Sequence, residues 1–408
     1  MIPADRPTQR PATARLLYVD EHGAIRHAPR SQLVDLLRPG DLVIANDAAT
    51  LPASLQGMHV RTGRSIEVRL AGKPSLAHRD VQRFIAVAFG PGDYRTRTED
   101  RPLPPVFEAG DELELGSLIA RVERVLGHPR LLALRFEAAV DELWRGLAEH
   151  GRPIQYAHLS EPLSLWDVWT SIAGAPVAYE PPSAGFVLDW QMLADFEARG
   201  IEFATLTHAA GISSTGDPEL DRKLPFDEPY RIPVATEEAI AAALCEGRRI
   251  VAIGTTVVRA LEHSAATFGS VAAGESVANL RIDAETQLRV VDVILSGTHE
   301  PGTSHYALLQ AFADKAALLR ADDALESAGY RSHEFGDSVL IERDSRRYSR
   351  PAGPTRATKS GGEDFPERQG LVGRRAPRIL RRFAPAPAHV VQESHRLSPA
   401  RRLLCLRD

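Results

Sequence analysis

The segment from residue 249 to residue 262 carries the clearest candidate for ligand chemistry. An apolar run ends at Gly254, Thr255 and Thr256 follow it, and Arg259 comes one helical turn later. A helix that begins at the threonines leaves free backbone N–H groups, which attract anions, and the threonine hydroxyls add donors. Arg259 could then bind a carboxylate or a phosphate. The alternative is an ordinary turn from strand to helix with a threonine cap.

The segment from residue 294 to residue 305 combines two histidines with small residues. It follows a second apolar run and contains His299, Thr303 and His305. Histidine can act as an acid, a base or a hydrogen-bond donor, and small residues let a ligand approach the backbone closely. We predict that His299 transfers protons and that Thr303 belongs to the binding set. The alternative is a capped loop whose histidine bonds to the backbone.

Two more groups of polar residues follow strand-like runs. His208 lies in a loop over residues 205–216 that is dense in small polar residues, and another run ends at Asn46 and Asp47. Open α/β sheets bind ligands at the carboxyl ends of their strands, so several such loops predict one shared pocket. The residues predicted to face this pocket are Gly254, Thr255, Thr256, Arg259 and His299. Asp47 and Glu228 are secondary candidates for a base or for orienting a second substrate.

The pattern of apolar residues predicts the elements that hold these groups in place. Helix-like and strand-like segments alternate over residues 155–343, which together with residues 10–65 predict a larger, discontinuous α/β domain. One of its helices is expected to have Thr236 as its N-cap. Short β-like runs over residues 71–150 predict an inserted β-rich domain. The predicted fold class is α/β in the multidomain α+β sense, with a mixed sheet, helices and a small antiparallel β-barrel-like insert.

The charge of the chain is unevenly distributed. The 408 residues have a net charge of −5, but residues 345–408 carry +10 and residues 1–344 carry −15. The Arg-rich and Pro-rich composition of residues 344–408 predicts a disordered basic tail. An acidic body argues against broad, unspecific binding to a nucleic-acid backbone, so a nucleic-acid partner is doubtful on charge alone.

Other features of the sequence exclude several classes of protein. Only two cysteines occur, Cys245 and Cys405, so a disulfide framework is not expected and a reducing cytoplasm is the expected location. No run of about 20 apolar residues and no apolar leader is present, so no membrane association is expected. The chain has no HExxH, paired CxxC or EF-hand pattern, which predicts no metal. It also has no GxGxxG or Walker A motif, so neither NAD nor ATP is indicated.

Seven segments within residues 10–343 follow an order and spacing that is typical of one enzyme family. Among them, IVAIGTTVVRALE at residues 250–262 nearly reproduces a run typical of that family, and another is the strand and loop around His208. The others are ARLLYVD, LLRPGDLVIANDAATLPASLQG, PPSAGF, VVDVILSGTHEPGTS and YRSHEFGDSVLI. Together they resemble the S-adenosylmethionine:tRNA ribosyltransferase-isomerase family of queuosine biosynthesis. The likeness is weakest in the β-rich insert.

The resemblance implies a substrate, a partner and a reaction. An enzyme of this family transfers and isomerises the ribosyl part of S-adenosylmethionine onto a 7-aminomethyl-7-deazaguanine base of tRNA, and adenine and methionine leave. A base must remove a proton activated by the sulfonium. The residues then expected to bind S-adenosylmethionine are Gly254, Thr255, Thr256, Arg259, His208 and Thr303. The residues expected to be catalytic are His299, Asp47 and Glu228.

The chain departs from the family pattern at several positions. Val187 and Phe226 stand where the family has histidine, and Ala49 and Gly302 stand where it has arginine, whereas Glu228 is retained. These changes remove hydrogen-bond donors and charge from the motifs. Two alternatives therefore stay open. One is an enzyme of the same fold that uses S-adenosylmethionine or another nucleoside with an acceptor other than tRNA. The other is a catalytically inactive binding protein.

Overall fold

A nine-stranded mixed sheet dominates the computed structural model, which describes residues 1–345. In spatial order its strands are β17 (Gly274–Ala278), β15 (Glu228–Ile232), β14 (Glu202–His208), β4 (Leu42–Asn46), β16 (Ile250–Ile253), β18 (Val293–Gly297), β20 (Ser338–Glu342), β2 (Arg15–Val19) and β3 (Ile25–Pro29). The four central strands β14, β4, β16 and β18 run parallel to one another. Their carboxyl ends therefore lie along one edge of the sheet.

A closed antiparallel barrel is formed by the chain between β4 and β14. Its strands in spatial order are β6 (Ser54–His59), β7 (Arg64–Gly72), β8 (Arg83–Phe89), β11 (Leu131–Phe136), β10 (Leu118–Val125) and β9 (Glu112–Leu115). Pairing of β6 with β9 closes the barrel, and β12 (Gly151–Arg152) adds to β6. Closure removes the unpaired strand edges that an open six-stranded sheet would expose.

The remaining regular elements are two short strand pairs and the helices. The parallel pairs are β1 (Ile2–Pro3) with β19 (Arg331–Ser332) and β5 (Ala49–Thr50) with β13 (Pro176–Ala178). The α-helices within residues 1–345 are α1 (Leu33–Leu36), α2 (Val140–His150), α3 (Leu165–Val168), α4 (Trp190–Ala198), α5 (Pro218–Asp221), α6 (Val234–Cys245), α7 (Thr255–Phe268), α8 (Ser304–Leu309) and α9 (Lys315–Ser327). Short 3₁₀ turns occupy Arg30–Gln32, Thr98–Asp100 and Ser183–Val187. Among these described helices, none is long and apolar enough to cross a membrane.

Both faces of the nine-stranded sheet are buried, and β4 shows how. Leu42 and Ile44 point into a core shared with α6, α7 and α9, whereas Val43 and Ala45 point into a core shared with α1 and α4. Successive strand residues face opposite sides, so a central strand with helices on both faces must be apolar throughout. The strand end is the first position on β4 where a polar side chain has room, and Asn46 stands there.

The predicted fold class is confirmed: the chain has a mixed sheet with helices and a small antiparallel barrel. The predicted N-cap of α6 is wrong. Pro233 occupies that position, and the Thr236 hydroxyl instead donates to the carbonyl of Thr205 at 2.6 Å. The boundaries proposed for the two domains stay a prediction. Of the predicted disordered tail over residues 344–408, residues 346–408 lie outside the described part of the chain.

Candidate functional site

Asn46 ties together the strand ends from which the site is built. Its amide nitrogen donates to the carbonyl of His208 at 2.9 Å and to the hydroxyl of Thr256 at 3.3 Å. Its amide oxygen accepts from the backbone N–H groups of His208 and Ala48 at 2.9 and 3.0 Å. One buried side chain at the end of β4 thus fixes the end of β14 and the start of α7.

A cavity of about 430 Å³ opens beside these strand ends. That volume lies within the roughly 300–1,000 Å³ usual for small-molecule sites. Seven of the nine residues assigned to the site from the sequence line it: Glu228, Gly254, Thr255, Thr256, Arg259, His299 and Thr303. The five residues predicted to share one pocket are all in this set. His208 and Asp47 are not among the lining residues.

The start of α7 forms part of the cavity wall. Gly254 is the N-cap with a φ of 98°, a conformation that favours glycine, and an added Cβ would lie 3.3 Å from the Cβ of Ala184. No side chain caps this helix, so the threonine-cap alternative does not apply. The first N–H groups of α7 are not bonded within the helix and carry its positive dipole end, and the cavity is lined there by Thr255 and Thr256.

Glu228 and Arg259 form a buried ion pair in the cavity wall. The Arg259 guanidinium donates to Glu228 and to the carbonyls of Phe226, Ala278 and Leu280, the last three at 3.1 to 3.3 Å. Most of its donors are therefore engaged by the protein. The other carboxylate oxygen of Glu228 accepts from the N–H of Gly211 at 2.6 Å. The positive charge of Arg259 and the negative charge of Glu228 therefore nearly cancel each other in the cavity wall.

Burial raises the pKa of Glu228, and Arg259 and the Gly211 N–H offset only part of that effect. A Cβ at position 211 would lie 2.7 Å from the Glu228 carboxylate, so any larger residue there would displace that carboxylate. The loop after β14 therefore approaches β15 closely through its smallest residue. A carboxyl group with a raised pKa next to a cavity is suited to exchanging a proton.

His208 lies behind Glu228, away from the cavity. Its side chain is completely buried, and its Nε2 is 3.5 Å from a carboxylate oxygen of Glu228. Neither ring nitrogen has a hydrogen-bond partner in the described part of the chain. Burial and the nearby Arg259 charge hold the pKa of His208 well below its usual value, so the ring is neutral. Its ring stacks on Tyr230, with centroids 6.3 Å apart.

His299 and His305 form a stacked pair that also lines the cavity. Their ring centroids are 4.7 Å apart, and Nε2 of His299 lies 2.8 Å from the hydroxyl of Ser296. Burial holds the pKa of His299 well below its usual value and lowers that of His305 to about 4. Both rings are therefore neutral at pH 7, and the lowered pKa makes each a weaker base than an exposed histidine.

Thr303 and Asp47 have structural contacts. Thr303 is the N-cap of α8, where its hydroxyl accepts from the N–H of Tyr306 at 3.2 Å. Asp47 follows β4, and its carboxylate accepts from the hydroxyls of Thr205 and Thr207 at 3.0 and 2.7 Å. Thr303 thus lines the cavity as a cap, whereas Asp47 holds the end of β14.

Glu180 is a lining residue that the sequence analysis missed. It is 7% exposed and accepts a hydrogen bond from the hydroxyl of Tyr156. Burial raises its pKa to about 7. The signal was present in the sequence, because Glu180 directly follows the apolar run ending at Tyr179 and directly precedes the PPSAGF segment. The sequence alone could not show that Glu180 is buried, and its raised pKa follows from that burial.

Comparison with known proteins gives a consistent result. A family described as "Queuosine biosynthesis protein" matches residues 2–341. The S-adenosylmethionine:tRNA ribosyltransferase-isomerase of Sorangium cellulosum is 33% identical over 83% of this chain and 94% of its own length. The enzyme of the same name from Thermus thermophilus is 30% identical over 80% of this chain and 92% of its length.

A solved structure gives a weaker likeness. The S-adenosylmethionine tRNA ribosyltransferase of Thermotoga maritima is 22% identical, with a TM-score of 0.44 over 83% of this chain and 96% of its own. Family membership rests instead on the match over residues 2–341 and on the 33% identity across most of both chains. The resemblance that the sequence motifs carried is thereby confirmed, and the chain belongs to the queuosine biosynthesis protein family.

Proposed function

We propose that this chain transfers and isomerises the ribosyl part of S-adenosylmethionine onto a 7-aminomethyl-7-deazaguanine base of tRNA. The observation that carries the proposal is one cavity, formed at the carboxyl ends of β16 and β18 by the segments 254–259 and 297–305, in a chain of this family. The first segment belongs to the run 250–262 that nearly reproduces the run typical of the family, whereas the second keeps His299 and Pro301 but has Gly302 in place of the family arginine. The expected location is the cytoplasm, where tRNA is available.

The start of α7 is proposed to bind the methionine part of S-adenosylmethionine. Free N–H groups and the helix dipole favour a carboxylate beside Gly254, Thr255 and Thr256. Arg259 is proposed to act indirectly, because its guanidinium is bonded to Glu228 and to backbone carbonyls. His208 contributes in the same way, by packing behind Glu228. Thr303 shapes the cavity wall as the cap of α8.

Proton removal next to the sulfonium is proposed to involve the cavity-lining groups whose pKa values are shifted by burial. Glu180, with a pKa of about 7, is matched to proton exchange at neutral pH. His299 is a neutral imidazole hydrogen-bonded to Ser296, and Glu228 is a buried carboxyl with a raised pKa. Asp47 stays a predicted catalytic residue whose effect would pass through the end of β14.

Two exposed arginines at the cavity support a nucleic-acid acceptor. Arg222 and Arg281 line it within a body that is otherwise acidic. The backbone carbonyls of Arg222 and Leu224 accept from Arg281, which joins the two loops at the rim. Asp221 and Asp283 line the same cavity, so the two arginines would bind a phosphate through their guanidinium donors rather than through a net positive charge.

A second candidate function is favoured by the apolar replacements. Val187 is 4% exposed and belongs to the core beside α4, and Phe226 is 8% exposed. Neither side chain can donate the hydrogen bonds of a histidine. This favours an enzyme of the same fold that uses S-adenosylmethionine with an acceptor other than tRNA.

The test is incubation of the full chain with S-adenosylmethionine, with and without bulk tRNA carrying the deazaguanine base, followed by measurement of adenine and methionine. Release of both only with tRNA supports the first function. Release without tRNA supports the second. Binding of S-adenosylmethionine with no release under either condition would contradict both and indicate a binding protein.

Two variants test the proposed proton-transfer groups in the same assay. We expect Glu180→Gln and His299→Ala each to lower the rate of adenine release about 100-fold while S-adenosylmethionine still binds. Glu219→Gln is the matched control, because Glu219 pairs with Lys223 on the exposed surface at 2.8 Å. Unchanged rates in both site variants would remove these residues from the mechanism.

A further inference from the structure

His158, His333 and Glu334 form a cluster next to the candidate site that the proposed reaction does not use. One donor atom from each residue lies within 4.8 Å of the donor atoms of the other two. His158 Nε2 lies 3.2 Å from a carboxylate oxygen of Glu334, and the two imidazole rings stack with centroids 4.2 Å apart. The three side chains therefore converge on one point. We propose that this cluster binds a divalent transition-metal ion of the zinc class.

The donor set matches that class of ion. Two imidazole nitrogens and one carboxylate are a common set for zinc sites that keep one position open, and they also suit iron(II). In a tetrahedral zinc site with bonds of about 2.0–2.2 Å, donor atoms lie roughly 3.4 Å apart. The His158–Glu334 separation already meets that requirement. All donor separations are within 4.8 Å, so the exposed ring of His333 must approach by at most about 1.4 Å and turn out of its stack on His158, because a metal ion lies in the plane of each imidazole that binds it.

The backbone holds His333 in an unusual conformation. His333 has a φ of 69°, and it is the only residue other than glycine with a positive φ in the described chain. The turn that contains it is closed by the N–H of Gly336, which donates to the carbonyl of His333 at 2.9 Å. A Cβ at position 336 would lie 2.4 Å from the carbonyl oxygen of Arg331, so this turn needs glycine there. Such conformations cost free energy and cluster at functional sites.

Two of the three donor side chains are largely buried and the third is exposed, as expected for a metal site that an ion can reach from solvent. The side chains of His158 and Glu334 are 12% and 20% exposed, whereas His333 is open to solvent. Two donors are thus fixed by packing, and the third closes over an ion that arrives from solvent. Three protein ligands leave one position for water or for a substrate oxygen.

The cluster adjoins the cavity through Glu334 and Glu180. Both carboxyl groups line one small gap of about 10 Å³, together with Tyr156, and Glu180 also lines the main cavity. A bound cation would therefore sit close to the wall that carries Glu180. The absence of a metal motif in the sequence does not bear on this site, because His158 comes from a loop 175 residues before His333.

The test is direct metal binding by the untagged full chain after chelator treatment, with ZnCl₂ followed by calorimetry and CoCl₂ by visible absorption. We expect one equivalent of zinc to bind and to raise the unfolding temperature. His333→Ala and Glu334→Gln should each weaken binding by at least about tenfold. Because neither S-adenosylmethionine nor tRNA is present, failure here is distinguishable from failure of the proposed function.

The control variant is His22→Ala, which removes an exposed histidine 3.9 Å from Glu21 with no third donor. It should bind zinc like the original chain. His333 is exposed, so its variant is expected to fold, and thermal unfolding without metal checks this. No saturable zinc binding would overturn the proposal, as would saturable binding that His333→Ala and Glu334→Gln leave unchanged.

Discussion

Glu67 inside the barrel and Glu228 at the cavity are both buried carboxylates paired with arginine, but their surroundings have opposite effects. Glu67 accepts from Arg69 at 2.7 Å, from Arg101 and from the hydroxyl of Ser54 at 2.9 Å. Burial alone would raise the pKa of Glu67, yet the two arginines outweigh it and hold that pKa below its usual value. Burial of Glu228, which has one arginine, keeps its pKa raised.

The difference shows how one kind of ion pair serves structure in one place and chemistry in another. The barrel gives Glu67 an excess of positive charge, since Arg69, Arg101 and Arg130 all lie over the Phe89 ring at 4.6 to 5.5 Å. Because the positive charge around Glu67 exceeds its own negative charge, Glu67 stays ionised. Glu228 has a single cationic partner and a cavity on its other side, so its protonation can respond to what binds there.

The largest expected effect comes from breaking the barrel cluster. Glu67→Ala leaves two buried guanidiniums without their carboxylate, which should cost about 3–5 kcal/mol of unfolding free energy. Adenine release per folded molecule should stay unchanged, because Glu67 does not line the cavity. Urea unfolding measures the first effect. Glu108→Ala is the control, because its pair with Arg61 is exposed on the carboxylate side. Equal losses in the two variants would contradict the assigned role of Glu67.

The next effect is a pH dependence of stability that Glu180 introduces. Burial raises the pKa of Glu180 from 4.5 to about 7, so the folded chain holds a proton that the unfolded chain releases. Stability from this group is complete below about pH 4.5 and is lost as the pH rises through about 7. The full change is about 3 kcal/mol.

The comparison of the original chain with Glu180→Gln isolates that change. The depressed pKa of His305 gives a slope of opposite sign between about 4 and 6.5, but it is common to both proteins and cancels in the difference. We expect the stability of the original chain to fall relative to the variant between pH 5 and pH 8 in urea unfolding. A difference that does not depend on pH would show that Glu180 is already ionised at pH 5.

Arg259→Ala sharpens the comparison between the two carboxylates. Glu228 can take up a proton when its partner is lost, whereas Glu67 lies among other guanidiniums. The variant should therefore lose about 1.5–3 kcal/mol at pH 8 and clearly less at pH 5. S-adenosylmethionine binding should weaken as the cavity wall relaxes. Unfolding at the two pH values measures the first effect, and a loss that is the same at both would mean that Glu228 stays ionised in the variant.

Those parts of the architecture that follow from local sequence patterns, such as the strands and their ends, were predictable from the sequence. The apolar run of β16 and the small residues after it predicted that 254–256 would lie at a strand end, because a buried central strand can turn polar only where it ends. The barrel strands were recognisable as short runs, but their closure through β6 and β9 depends on pairing that no local pattern specifies.

The roles of individual side chains were less predictable, because they depend on distant partners. Arg259 was expected to bind a ligand anion, yet its guanidinium pairs with Glu228, which is 31 residues away along the chain. The raised pKa of Glu180 comes from its burial and from the nearby charge of Glu334, and the hydrogen bond from Tyr156 offsets only part of that effect. Thr236 looked like a cap from its position before acidic residues, but a bond to the Thr205 carbonyl was available in the folded chain.

The smallest expected effect separates a cap that only stabilises from a cap that also shapes the site. Thr303 caps α8 and lines the cavity, whereas Asp189 caps α4 by accepting from the N–H of Met192 at 2.7 Å and does not line it. Replacing either residue with alanine should cost about 1 kcal/mol of unfolding free energy, since one N–H at a helix start loses its acceptor. Only Thr303→Ala should also weaken S-adenosylmethionine binding, because loosening the first turn of α8 displaces the wall that carries His305.

Calorimetric titration of both variants with S-adenosylmethionine at one temperature measures this difference, after urea unfolding has shown that the two variants are equally stable. Equal affinities would mean that the loop before α8 keeps its shape without the cap and that Thr303 supports the helix alone.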